Sequence, residues 1–375
     1  AAYPGRELMP VTKLQRMLAA TARRRPESLT TYALPPGHVE LRRQVARRAL
    51  DWGCNLTADD LVITNGCMEA LNLCLRAVAK PGDIVALESP TYFGLLQIIE
   101  SLGMKALEIP THPRDGISLE ALALACEREK VSACLVMSNV SNPLGSVMPD
   151  AAKKRLARFL AGRGIPLIED LVYGDLYFGH GAPRATKSYD RDGMVMLCSS
   201  FSKTLAPGFR LGWVAPGRYR AQVERLKFIS SGGTPELLQL TIAAFLESGG
   251  YDHQLRSLRR AFAERIERTK RVVGEHFPER TRATSPAGGF VLWVELPPGF
   301  DSLAFCESAM REGISIAPGP MFSASNRYRN CMRLNCGCAW TPVLERALVR
   351  IGELAKAQLA HSVARPRTRQ GQPKP

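Results

Sequence analysis

The sequence predicts an α/β fold: a mostly parallel, seven-stranded type of sheet in a large unit, followed by a smaller C-terminal α+β unit. Three observations lead there. Short apolar, β-branched runs alternate with helix-length segments up to about residue 217, successive helices follow, and polar residues gather just past the ends of the apolar runs. Runs that are apolar throughout belong to strands buried on both faces, the state of a parallel sheet covered by helices.

Taken in order, the strand candidates are LVIT (61–64), IVAL (84–87), KALEI (105–109), SACLVMS (132–138), IPLIE (165–169), MVMLCS (194–199) and LGWVA (211–215). Between most of them, segments 66–79, 91–102, 118–129 and 149–163 carry apolar residues at helical spacing. Residues 218–230, 234–248 and 251–277 read as three helices, the last long, Arg-rich and free of Pro and Gly until Gly274. FVLWVEL (290–296), a helix at 301–312, ISIAP (314–318), CMRLN (331–335) and a helix at 342–360 make up the smaller unit. The expected organisation is an N-terminal segment that packs on a partner subunit (1–35), a large ligand-binding unit (36–260), a small unit (261–360) and a disordered basic tail (361–375).

The chain has 375 residues, 45% of them apolar and 23% charged, enough to bury a sizeable core. No apolar run approaches the roughly 18 residues of a membrane span, and no secretory h-region is present. The formal charge of +15 is concentrated at the ends, with ten basic and three acidic residues in 1–50 and four basic residues and no acid in 361–375. A solvated helix face with a basic tail explains this, and a nucleic-acid-binding arm is the competing explanation. Most of the ten cysteines lie inside apolar runs, as expected of buried thiols in a reducing, cytoplasmic setting. Cys331, Cys336 and Cys338 cluster without a second pair or a nearby His, so no metal site is expected.

In a parallel α/β sheet, ligands bind beyond the C-terminal ends of the strands, and four such ends are polar. In CSSFSKTLAPGFRLGW (198–213), Lys203 could present an amine beside an anion site made by Ser200, Ser202 and Arg210. A surface loop explains the same residues. In LIEDLVYGD (167–175), Asp170 is either a helix cap or a buried anion awaiting a cation, with Tyr173 three residues on. In TNGCMEAL (64–71), Gly66 precedes a helix whose first N–H groups, at Cys67 and Met68, could bind an anion, or the segment is an ordinary turn. In NVSNPLG (139–145), Asn142 either makes a turn or donates to a ligand oxygen. A Ser-x-x-Lys acyl-enzyme motif at 200–203 lacks its companion Lys-Thr-Gly, and no Gly-x-Gly-x-x-Gly follows an early strand.

Together and in this order, the four segments resemble the fold-type I pyridoxal-phosphate enzymes of the aminotransferase class I/II family, over about residues 3–360. The resemblance implies the aspartate aminotransferase-like fold of PLP-dependent transferases, with pyridoxal 5'-phosphate as cofactor. It implies that Lys203 forms the Schiff base, Asp170 pairs with the ring nitrogen, and Tyr173 and Asn142 bond the ring's phenolic oxygen. Ser200, Ser202, Arg210, Gly66, Cys67 and Met68 then form the phosphate site and Tyr92 of SPTYFG stacks on the ring. Tyr32 of YALPPG reaches the phosphate of a neighbouring subunit in a homodimer with shared active sites. Arg333 of CMRLNCG, with Asn142, takes the substrate carboxylate. The partners so implied are an amino acid and a 2-oxo acid, exchanged by transamination.

YPGRELMP (3–10), NGCMEAL (65–71), IEDLVYGDLYFG (168–179) and ISIAPGPMFS (314–323) are more narrowly similar to the effector domain of MocR-type regulators of the GntR family. That similarity implies the alternative function of a cofactor- and amine-sensing domain that acts on DNA only through a winged-helix domain outside this chain. No winged-helix segment is visible, so the chain is expected to be either a fragment, which the start at Ala1 rather than Met favours, or a free-standing enzyme.

Overall fold

A computed structural model describes residues 2–364, with side chains through residue 361. Two helices, α1 (Val11–Arg24) and α2 (Val39–Ala49), precede the first strand. The large sheet holds β1 (Val62–Thr64), β2 (Ile84–Ser89), β3 (Lys105–His112), β4 (Gly116–Ile117), β5 (Val131–Val136), β6 (Leu167–Asp170), β7 (Val195–Ser200) and β8 (Gly212–Ala215). Their spatial order is β1-β8-β7-β6-β5-β2-β3-β4. The central strands β3, β2, β5, β6 and β7 run parallel, and β8, β1 and β4 join antiparallel at the edges.

The sheet thus has eight strands rather than the seven expected. The addition is β4, which pairs with Thr111 and His112 at the edge. A two-residue strand is too short to show a side-chain period, so it leaves no sequence signal.

Helices α3 (Cys67–Val78), α4 (Phe93–Ser101), α5 (Leu119–Arg128) and α6 (Asp150–Gly162) connect the strands. Alternate residues of a strand point to opposite faces, and the core divides accordingly. Met196 and Cys198 of β7 pack with Leu71 and Cys74 of α3 on one face. Leu197 faces the other side, with Leu41 of α2 and Trp213.

Beyond β8 come α7 (Arg220–Ser231), α8 (Glu236–Glu247) and α9 (Gly250–His276). The first half of α9 buries Leu255, Leu258 and Phe262 against the large core, and the second half buries Ile266, Val272 and Val273 in another. That second core lies on an antiparallel sheet of β9 (Arg282–Ala283), β10 (Val291–Glu295), β11 (Ala317–Pro318) and β12 (Cys331–Asn335), in the order β11-β12-β10-β9. Helices α10 (Ser302–Arg311) and α11 (Pro342–Ala364) complete it.

The ISIAP segment forms only the two-residue β11, because Pro318 and Pro320 offer no N–H to extend the ladder. Helix α11 reaches Ala364, so residues 361–364 of the expected disordered tail are helical, and the remainder of the tail, 365–375, lies outside the described residues. The N-terminal segment lies along this chain's own surface: Leu14 of α1 is buried, and Gln254 Nε2 donates to the Leu8 carbonyl.

One buried ion pair fixes the start of α3. Lys227 of α7 is 1% exposed and donates to Glu69 Oε2 at 2.8 Å and Ser231 Oγ at 2.8 Å. Glu69 Oε2 also accepts from the Asn65 N–H at 2.6 Å. Removing one partner of such a pair strands the other charge. Glu69→Ala should therefore destabilise the protein by about 3 kcal/mol, measurable as a lower midpoint of chemical unfolding.

Candidate active site

The functional side chains converge because β5, β6 and β7 are parallel neighbours whose C-terminal ends open on one side of the sheet. Asp170 is the last residue of β6 and pairs in register with Cys198 of β7. Lys203 follows β7 after a short turn. Both line a cavity of about 240 Å³ with Cys67, Met68, Tyr92, Asn142, Tyr173, Ser200, Ser202, Arg210 and Arg333. All but two of the residues expected at the site therefore meet at one cavity.

The exceptions are Gly66 and Tyr32. Gly66 acts from behind the lining: it has φ +84°, and a Cβ there would sit 2.6 Å from Arg210 Nη2. Glycine is thus required for Arg210 to approach the first turn of α3. Tyr32 is 86% exposed and does not line the cavity of its own chain.

Arg210 sits in the left-handed region, φ 53° and ψ 41°, at the end of a short 3-10 turn, Pro207–Phe209. Its Nη1 donates to Ser202 Oγ at 3.2 Å, and the Ser202 N–H donates to Ser200 Oγ at 3.4 Å. With the free N–H groups at the start of α3, these form an anion cradle. Gly212 holds the cradle closed, since a Cβ there would lie 2.5 Å from the Gly66 carbonyl carbon.

Asp170 is fully buried, and desolvation pushes its carboxyl up to about 6. Its Oδ1 accepts from the Val172 N–H at 2.9 Å and from Cys67 Sγ at 3.5 Å. Lys203 Nζ donates to the Ala2 carbonyl at 3.0 Å and lies 5.9 Å from the centre of the Tyr173 ring. Burial and the nearby Arg333 guanidinium lower Lys203 to about 8. Arg333, 3% exposed, donates from Nη1 to Asn142 Oδ1 at 3.1 Å, and its Nε is buried without a hydrogen-bond partner. The charged lining is thus three cations and one carboxylate, a field suited to a ligand carrying more than one negative charge.

A family model for aminotransferase class I and II matches residues 5–351. The chain belongs to that family. It is 41% identical over 350 residues to the uncharacterized HTH-type transcriptional regulator YjiR of Escherichia coli, covering 93% of this chain and 74% of that protein. It is 39% identical to the uncharacterized HTH-type transcriptional regulator YdcR of the same organism, covering 96% of this chain and 77% of the relative. Among solved structures, LysN, an α-aminoadipate aminotransferase from Thermus thermophilus complexed with N-(5'-phosphopyridoxyl)-L-leucine, superposes with a TM-score of 0.90. That match is 27% identical and covers 96% of this chain and 92% of LysN. The fold is accordingly the aspartate aminotransferase-like α/β fold. Among the described residues, no group of His, Cys, Asp and Glu could hold a metal, and no helix is long and apolar enough to cross a membrane.

Sequence reasoning missed several lining residues. Ala2 arrives from the far end of the chain, and Phe93, Met137 and Val172 are apolar neighbours of polar positions, without a signal of their own. The thiol contact of Cys67 with Asp170, residues separated by 103 positions, was equally invisible.

The lowered Lys203 makes a pH prediction. Only the uncharged amine attacks an aldehyde, so reductive labelling of Lys203 should rise with pH and level off above about pH 8. An ordinary lysine levels off near about 10.4. Peptide mapping by mass spectrometry at a series of pH values reads the difference.

Proposed function

We propose that this chain is a pyridoxal-phosphate-binding domain that senses an amino acid or related amine, as the effector part of a MocR-type HTH regulator. The observation that carries the ligand reading is the buried Asp170 and the half-buried Lys203 in one cavity flanked by Arg210 and Arg333. The regulatory reading rests on the two HTH-type regulators matched at 41% and 39% identity over most of the chain.

The residues present fit the cofactor. The Arg210, Ser202 and Ser200 cradle at the start of α3 suits a phosphate, and Asp170 suits a protonated ring nitrogen. When bound, pyridoxal phosphate supplies an aldehyde for amines and a ring that draws electrons from them. Around it, Arg210 neutralises the phosphate, and Asp170 holds the proton on the ring nitrogen. Tyr92 packs on the ring, while Tyr173 and the Asn142 amide nitrogen, left available because Oδ1 accepts from Arg333, serve the phenolic oxygen. Arg333 offers a planar fork to a carboxylate, for which its unpartnered Nε is poised. Tyr32, with the exposed Leu29 and Leu34 beside it, belongs to a homodimer interface, reaching the phosphate site of the partner.

Aminotransferase activity is the second reading. It is favoured by the retained Lys203, whose Nζ, lowered to about 8, gives up its proton more readily than an ordinary lysine and in its uncharged form can take a proton from the α-carbon of a bound amino acid.

Lys203→Ala should abolish the visible absorbance band that the lysine–cofactor Schiff base contributes. Arg210→Ala should weaken cofactor binding about tenfold to a hundredfold, the scale of a lost charged hydrogen bond. An amino-acid panel added to the loaded protein separates the two readings. Spectral change that reverses on dialysis supports a sensor, and sustained formation of 2-oxo acid supports the enzyme. Sedimentation should show a dimer, and a monomer that binds the cofactor equally tightly would remove the role given to Tyr32.

A further inference from the structure

We propose that the Cys67 thiol is a positioning residue for Asp170: by donating to Oδ1, it sets the plane of the carboxylate so that Oδ2 is the oxygen presented to the ligand. The proposal rests on the reading of the cavity as a pyridoxal-phosphate site.

A carboxylate turns easily about its last bond, a broad, two-fold torsion. One hydrogen bond, from the Val172 N–H, restrains Asp170 from its own chain segment. The second restraint comes from α3, where Cys67 Sγ meets the same oxygen at 3.5 Å. Among the described residues, no hydrogen bond falls on Oδ2. Two donors on one oxygen leave the other as the acceptor for a protonated ring nitrogen.

The thiol suits this task. Burial and the adjacent carboxylate push it far above its usual range, so it keeps its proton and acts as a donor. A thiol is a weak donor, so it orients Asp170 while leaving the negative charge for the ligand. Its platform is rigid. Cys67 opens α3, and Glu69 and Lys227 pin that end. Cys74, two turns on, contacts Cys198 at 3.6 Å, beside the strand end that carries Asp170. Cys67 therefore ties both ends of the site together, its backbone N–H at the anion cradle and its side chain at the carboxylate.

A filler role for a small buried side chain is the competing explanation, and paired substitutions separate the two. Cys67→Ala removes the donor, and Cys67→Ser restores one. A donor favours the ionised carboxylate, so without it Asp170 holds its proton to higher pH. Cofactor binding, which requires the ionised form, is then lost at a higher pH as the solution is acidified. The other titratable groups facing Asp170 are Lys203, Glu169, Cys198, Glu88, Tyr92 and Tyr173, and none is altered by these substitutions.

The experiment measures pyridoxal-phosphate affinity against pH for the wild type and both variants, and the infrared S–H band of the ligand-free proteins. Cys67→Ala should weaken binding at neutral pH by about three- to tenfold, the scale of one hydrogen bond. It should also move the acid limb to higher pH, and Cys67→Ser should return the limb to the wild-type position or below. The Cys67 band, identified by its loss in Cys67→Ala, should shift to higher wavenumber in Asp170→Ala. An acid limb at one pH in all three proteins, or a band indifferent to Asp170→Ala, overturns the proposal. A wild type that takes up no pyridoxal phosphate defeats the functional reading instead, while the band still decides whether the thiol bonds to Asp170.

Discussion

A buried carboxylate and a half-buried amine sharing one cavity are the constraint around which this molecule is organised. Charge is costly in a poorly hydrated interior, and it shifts proton affinities in opposite directions for acids and bases. Asp170 is pushed up and Lys203 down, to about 6 and about 8. Each therefore sits closer to neutrality than its residue type does in water. Such a pair responds to whatever charge enters the cavity, which makes it suited to holding a cationic ring on one side and an aldehyde on the other.

The sheet is what makes this arrangement possible. β6 and β7 are parallel neighbours, so Asp170 and the turn carrying Lys203 emerge side by side. β8 returns antiparallel and brings Gly212 against the start of α3. That contact sets the separation between Arg210 and the helix N–H groups. The second unit contributes Arg333 from an inner strand of its sheet, and its hydrogen bond to Asn142 crosses from one unit to the other. That bond joins the small sheet to the loop after β5 at the cavity wall.

Sensing and transamination use the same residues up to a late step. Both need the phosphate cradle, the aspartate and the lysine. In the two proposed readings they would differ in whether Lys203 moves a proton from the bound amine and a product is released, or the bound amine simply leaves again. Membership of the aminotransferase class I and II family accommodates both, and the relatives include HTH-type regulators as well as an aminotransferase.

Much of the architecture was legible in the chain. The seven apolar runs, the helices between them and the CMRLN strand stand where the periodicity put them, because burial on both faces imposes a composition that local reading detects. Asp170, Lys203, Ser200, Ser202 and Arg210 were legible too, since each lies within a few residues of a strand end. β4 and the shortened β11 were not, being two-residue pairings decided by a neighbouring strand. Cys67 on Asp170, Lys227 on Glu69 and Arg333 on Asn142 join residues 103, 158 and 191 positions apart. Sequence alone therefore determined which chemical groups the site has and near which strand ends they lie. Only the tertiary structure decided which oxygen of Asp170 is held, which charges are buried and which donors remain for a ligand, because hydrogen-bond direction and dehydration are properties of packed neighbours and not of spacing along the chain.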